Sequence, residues 1–306
     1  MQKYCIKRRI RSLRFAVIKL AITLILALGA APGPLPTKDM PDKVVIATFS
    51  IAGDFVQNVV GKHVMVKIIV PAGSEIHGFQ LSPRDVKALN QAVQIIGINP
   101  QLEPWLLAWA TSAHQEHKVV WLAPAPQTNG PDPHLWTDPR EVSRMSRLLR
   151  AEWTRNFPDN DSKESYEAWL AEVDRVDAEL AKLFADLPAS RRSFVSQHPN
   201  LGWFAHRYGL RVAGTILTSA TAEAADPSAF HFSEILKLIR REKIRVIVTD
   251  EGQPGGFAER LAQEAGLAAP LSLTFETLQP KGREGDTWAA MMLRNGRRLH
   301  TALLAP

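Results

Sequence analysis

The strongest constraint on how this chain can fold is an alternation that runs through it twice. Val44, Val45, Ile46, Ala47, Thr48 and Phe49 form a short apolar, β-branched run that reads as a buried strand. Residues 54–60 have helical character, 64–70 again read as a strand, and 83–91 as a helix opened by Ser82 with Pro83 at its first position. Further strands are expected at 94–98 and 119–122. The second half repeats the scheme, with strands at 194–196, 211–214 and 244–248, helices at 233–242 and 257–265, and Gly266 as a stop. Strands alternating with helices predict βαβ units and mostly parallel sheets.

Between the halves, residues 163–187 form one long amphipathic pattern that carries Tyr166, Trp169, Leu170, Val173, Val176, Leu180, Leu183 and Phe184 and ends at Pro188. A helix of about 25 residues spans about 37 Å, enough for a backbone strut. The plainer alternative is a long surface helix within one domain. The expected fold is α/β: two βα lobes with mostly parallel sheets, joined by a long rigid helix. The boundaries are a leader at 1–31, an N-terminal lobe at 43–160, a linking helix at 161–188 and a C-terminal lobe at 189–306.

The chain of 306 residues carries 37 Lys and Arg against 31 Asp and Glu, a formal net charge of +6. Seven of the basic residues, Lys3, Lys7, Arg8, Arg9, Arg11, Arg14 and Lys19, lie in 1–31, where no acidic residue occurs; the remaining 30 face 31 acidic ones. The basicity is local, which removes the main support for a nucleic-acid partner. The cluster precedes an apolar run at 15–31, broken only by Lys19 and ending in Gly29, Ala30 and Ala31. A charged start, an apolar middle and a small-residue exit form the pattern of a secretory signal peptide. An uncleaved anchor is the alternative, although the run falls short of the roughly 20 residues that span a bilayer. The chain is therefore expected in the periplasm. Its only cysteine, Cys5, precedes the apolar run, whereas a lipoprotein needs its cysteine just after one, so lipid attachment at Cys5 is not expected. The mature chain would then have no disulfide and no thiolate ligand or nucleophile. A metal site must be built from His, Asp, Glu and backbone oxygen.

Three of the nine histidines sit in telling places. His77 follows the strand at 64–70 and precedes the helix start at Ser82 and Pro83. His134 lies in a loop fixed by Pro133 and Pro139, and His198 follows the strand at 194–196. Ligands of α/β sheets bind beyond the carboxyl ends of the strands, so these three have a reason to converge. Neutral imidazole is the commonest metal ligand, and three with one carboxylate make a near-tetrahedral site. Taken singly, each also reads as a hydrogen-bonded loop or core residue. Their spacings of 57 and 64 residues match no local zinc-finger motif.

From about residue 43 onward, these motifs resemble the periplasmic solute-binding proteins of zinc and manganese ABC transporters. Residues 73–83, with His77, resemble the family's first ligand loop, and 102–106 (Leu102, Glu103, Pro104, Trp105, Leu106) the stretch after its next strand. Asp132, Pro133, His134, Leu135 and Trp136 match the second ligand motif, and 198–210, opening with His198, the third. Asp286, Thr287, Trp288 and Asn295 resemble the terminal segment, which places Glu276 at the fourth ligand position. The family more often has aspartate there, and Asp250 and Glu251 are the competing carboxylates.

The resemblance implies a metal held between two lobes, His77 and His134 from the first, His198 and Glu276 from the second. It implies a monomeric, non-enzymatic receptor that passes a divalent ion to a membrane permease with only small closure about its rigid helix. Three imidazoles and one carboxylate favour Zn2+, with Mn2+ or iron as the alternative cargo. His114 and His117 would form a small auxiliary site if they shared a helix; otherwise they are solvated surface residues. Two other functions stay open. An exported chaperone or adhesin would have the same site, and a zinc hydrolase would use Glu276 as its base beside a metal-bound water. No His-Glu-x-x-His helix or Gly-x-Ser-x-Gly turn occurs.

Overall fold

Strand β1 (Val44–Phe49) runs through the middle of the first sheet, and Val45, Ile46 and Ala47 are wholly buried, as a parallel strand covered on both faces requires. The computed structural model describes residues 44–123, 132–160, 162–217, 228–252 and 256–305. The expected leader at 1–31 and Cys5 lie outside them. No helix among the described residues is long and apolar enough to cross a membrane.

The first lobe continues with α1 (Ser50–Val60), β2 (Met65–Val70), α2 (Pro83–Gln91), β3 (Gln94–Gly97), α3 (Pro104–Ala113), β4 (Val119–Trp121) and α4 (Pro139–Asn156). Its sheet has the order β2-β1-β3-β4, with every pair parallel. Val45 pairs with Val66 on one side and Gln94 on the other. Ser82 caps α2 as expected: its hydroxyl accepts from the Asp85 N–H while Asp85 reaches back to the Ser82 N–H. Asp138 caps α4, with Pro139 at the first position.

The linking helix α5 (Lys163–Ala185) buries Trp169, Val173, Val176, Leu180 and Phe184 at steps of three and four residues. Each such side chain contributes about 1.5–3 kcal/mol of burial. The second lobe follows with β5 (Ser193–Ser196), α6 (Gly202–Arg207), β6 (Arg211–Thr215), α7 (Ala229–Glu242), β7 (Ile247–Asp250), α8 (Gly256–Ala265), β8 (Leu271–Leu273) and α9 (Trp288–Leu304). Its sheet, β6-β5-β7-β8, is again all parallel and repeats the order of the first. The strand expected at 244–248 begins later, because Lys243 in the left-handed region closes α7 and the Ile244 N–H bonds back to Ile239.

Helix α9 leaves the second sheet and packs on α5 and α1. At Gly296 the approach is so close that a Cβ would overlap Leu180 of α5. One continuous core therefore runs from β1 through α5 to Phe275 and Trp288, while a smaller core of Val195, Ile216, Ile235, Ile239, Ile247 and Leu261 lies under α7 and α8.

Candidate metal centre

The carboxyl ends of both sheets face one cleft, and four side chains meet there. His77 stands in the loop between β2 and α2, His134 in the loop between β4 and α4, His198 just past β5 and Glu276 just past β8. Among the described residues these four form the one cluster of three or more His, Cys, Asp or Glu with ligand atoms close enough to share an ion, all within 4.8 Å of one another.

The three Nε2 atoms point at the same carboxylate. His77 Nε2 lies 2.9 Å from Glu276 Oε2, His134 Nε2 lies 3.1 Å from Oε1, and His198 Nε2 also contacts Oε1. His134 and His77 are 3.4 Å apart, Nε2 to Nε2. Around a four-coordinate zinc with bonds of about 2.0–2.1 Å, neighbouring ligand atoms stand about 3.3 Å apart, so this donor set fits such an ion with little movement.

Two of the rings are fixed from behind. His134 Nδ1–H donates to Asp132 Oδ1 at 2.7 Å, and the same oxygen accepts from the His134 backbone N–H at 2.9 Å. His198 Nδ1–H donates to Asp250 Oδ2 at 2.7 Å. A carboxylate on one ring nitrogen selects the tautomer that offers the other to a metal and makes it a better donor. His77 is held differently. Its backbone N–H donates to Glu75 Oε1, and its buried Nδ1 has no hydrogen-bond partner among the described residues.

Charge explains the contraction around Glu276. Burial would raise its pKa, but the His134 and His198 imidazoliums outweigh that and hold it well below the usual carboxylate range. Burial would lower His134, yet Glu276 and Asp132 push it up to about 9. The same balance, with burial opposed by Glu276 and Asp250, takes His198 to about 11. Protons on these rings neutralise the buried carboxylate where a cation otherwise would.

The competing carboxylates have other places. Asp250 supports His198 from behind, and Glu251 turns away to the Thr274 hydroxyl and Arg294. The pair His114 and His117 does not share a helix: His114 ends α3 in the left-handed region (φ 55°), and His117 lies in the short turn Glu116–Lys118. Sequence reasoning assigned no role to Asp132 or Asn200. The Asp132–His134 spacing, with a proline between, was the available signal for the first.

Contacts across the cleft are numerous. Trp136 Nε1 donates to the Phe275 carbonyl at 2.6 Å, and Trp288 Nε1 to the Trp136 carbonyl at 2.8 Å. Asp132 accepts from the Gly202 N–H at 2.9 Å, and its carbonyl from Trp203 Nε1 at 2.9 Å.

Two parallel-sheet lobes with a His3Glu cluster between them define a class: the metal-binding receptors with two lobes and a rigid connecting helix. The match to the family model described as "Zinc-uptake complex component A periplasmic" runs over residues 45–302, and the chain belongs to this family. It is a binding protein for a divalent metal ion, zinc or manganese, of a family that works with ABC-transporter permeases; it is not an enzyme. Among relatives, the metal ABC transporter substrate-binding lipoprotein SloC of Streptococcus mutans is 23% identical over 278 residues, covering 85% of this chain and 90% of SloC. The zinc-binding lipoprotein AdcA of Streptococcus pneumoniae is 22% identical over 276 residues, covering 82% of this chain but 54% of AdcA, so the chain spans about half of that relative. The periplasmic zinc-binding protein TroA of Treponema pallidum superposes with a TM-score of 0.77 at 22% identity, covering 86% of this chain and 100% of TroA. The Mn-bound periplasmic metal-binding protein of Candidatus Liberibacter asiaticus gives 0.75 at 19% identity, with the same coverage.

These relatives correct one expectation. SloC and AdcA are lipoproteins by name, so an unlipidated periplasmic protein released from a cleaved signal peptide does not stand as the reading of this chain. The expectation rested on where Cys5 falls relative to an apolar run, an argument about 31 residues that lie outside the described structure.

Proposed function

We propose that the chain captures one Zn2+ through His77 Nε2, His134 Nε2, His198 Nε2 and a Glu276 oxygen, and surrenders it to an ABC permease. The lobes that clasp the ion span 43–160 and 189–306, with 161–188 linking them. The observation that carries this reading is the convergence of three Nε2 atoms on one buried carboxylate, with two of the rings braced on Nδ1 by Asp132 and Asp250. Three nitrogens and one oxygen favour zinc over manganese by ligand type and by the order of divalent affinities. Glu276 touches the imidazoles directly, which supports a ligand role over that of a base set back behind a metal-bound water.

Binding links the lobes, since two ligands come from each. The first lobe, α5 and α9 share one core, so closure is restricted to the loops that carry the ligands. The test is zinc titration of chelator-stripped protein. One equivalent should bind tightly, and His134→Ala should lose more than the roughly 100-fold that removal of an outer partner costs. Unchanged zinc affinity in that variant would overturn the assignment.

A further inference from the structure

Asn200 lies beside the cluster without offering it a usual zinc ligand, and it is almost wholly buried at 2% exposure. Its Nδ2 donates to Asp250 Oδ1 at 2.8 Å and to Glu276 Oε1 at 3.1 Å. Both partners are carboxylate oxygens, which accept and do not donate when ionised, so the amide must present its NH2 to them and both of its protons are used. Asp250 in turn puts its other oxygen on His198 Nδ1. The chain His198–Asp250–Asn200–Glu276 is thus a closed ring of hydrogen bonds joining two of the proposed ligands. A tight turn, in which the Asn200 N–H bonds to the His198 carbonyl at 2.9 Å, fixes the amide relative to that histidine.

An oxygen that accepts from Asn200 is a poorer second donor to a metal, because one of its lone pairs is committed and its position is set. We propose that Asn200 is a positioning residue that holds Glu276 to one-oxygen coordination, keeps the site four-coordinate, and so sets its preference for zinc over manganese. Zinc is satisfied by four ligands, whereas manganese takes more oxygen and an octahedral shell, which a two-oxygen carboxylate helps to supply. The inference rests on the metal site proposed above. It also bears on glutamate at position 276: both of its oxygens reach imidazoles here, Oε2 to His77 and Oε1 to His134 and His198, and the Asn200 bond to Oε1 restricts how that oxygen can turn toward an ion.

The experiment uses the full chain stripped of metal, with Co2+ as a spectroscopic substitute and Zn2+ and Mn2+ in competition titrations. Wild-type protein should give the intense visible bands of four-coordinate cobalt. Asn200→Leu, similar in volume but without donors, and Asn200→Ala should give weaker bands of higher coordination and lower the Zn2+ to Mn2+ affinity ratio at least tenfold. Asn200→Gln, which keeps an amide, should recover part of the ratio. Equal losses for both metals with an unchanged cobalt spectrum would overturn the proposal and leave Asn200 a packing residue. Five- or six-coordinate cobalt in the wild-type protein would overturn it without any variant. Failure of the wild-type chain to bind zinc, manganese or cobalt would instead sink the metal-receptor reading itself.

Discussion

The two flanks of the cleft hold their ligands in different ways. On the second-lobe flank, His198 and Glu276 sit in a closed network with Asp250 and Asn200, all at or within four residues of a strand end. On the opposite flank, His77 stands in the twelve-residue gap between β2 and α2, with a buried Nδ1 that has no hydrogen-bond partner among the described residues. His134 is intermediate, in a loop but braced by Asp132, which is itself tied to the second lobe through Gly202. On the metal reading proposed above, the difference implies that one flank is braced from behind before metal arrives, while the His77 ring is held at its metal-facing nitrogen alone.

The largest expected effect is on protons. Metal-free His134 and His198 have pKa values raised to about 9 and about 11 from an ordinary 6.5. Their ion pairs therefore stabilise the metal-free fold fully below about pH 6.5, and that contribution is lost as pH rises through 9 and then 11. Glu276, held well below 4.5, contributes above that value and loses its contribution as pH falls through its lowered pKa. Zinc must displace the ring protons, so its affinity should move oppositely, rising with pH by about tenfold per proton per unit below pH 9. Calorimetry in buffers of different ionisation enthalpy should count nearly two protons released at pH 7.5. Zero released would mean that both flanks are already deprotonated and that the contrast drawn from charge is wrong.

Next in size is Asp250→Ala, which removes the brace from His198 and one anchor of Asn200. Loss of such an outer carboxylate costs about 10–100-fold in metal affinity. The measurement is competition against a chromophoric zinc chelator, with the melting temperature of the metal-free protein as a control for folding. An effect below threefold would show that the strand end alone orients His198, and the network flank would lose its claim to being built in advance.

Much of this architecture is legible in the sequence, for reasons that differ by element. The buried run of β1, the Ser82 cap of α2 and the long apolar stripe of α5 are local patterns, and the structure places all three where they were expected. Helix α4 went unread although Asp138 and Pro139 announce it, and β8 is three residues long, too short for a period to show. Convergence of His77, His134 and His198 was arguable from strand ends, but Asp250 was weighed as a ligand where the structure has it behind His198. That distinction depends on which of two neighbouring carboxylates faces the cleft, and no spacing along the chain encodes it. The return of α9 to α5, with Gly296 against Leu180, is likewise a contact between segments over a hundred residues apart.

The smallest effect is expected on the His77 flank, where one hydroxyl shares the tethering of the loop with a backbone carbonyl. Thr277 Oγ1, next to Glu276, accepts from the Gly73 N–H at 2.9 Å and lies 3.2 Å from Ser50 Oγ, while the Leu278 carbonyl accepts from Gly73 as well, at 3.1 Å. Gly73 sits at φ 78°, a conformation glycine adopts without strain, which lets the loop turn its N–H toward the other lobe. Thr277→Val keeps the shape and removes the acceptor, so the loop keeps only the carbonyl contact. A single hydrogen bond of this kind is worth about 0.5–1.5 kcal/mol, which corresponds to a loss of roughly two- to twelvefold in zinc affinity. Because the loop is then looser before and after binding, the change should fall mainly on the dissociation rate, measured by stopped-flow transfer of zinc to a chelator. If dissociation is unchanged while Asp250→Ala still weakens binding, His77 is anchored by the metal alone, and the asymmetry between the two flanks is greater than the hydrogen bonds suggest.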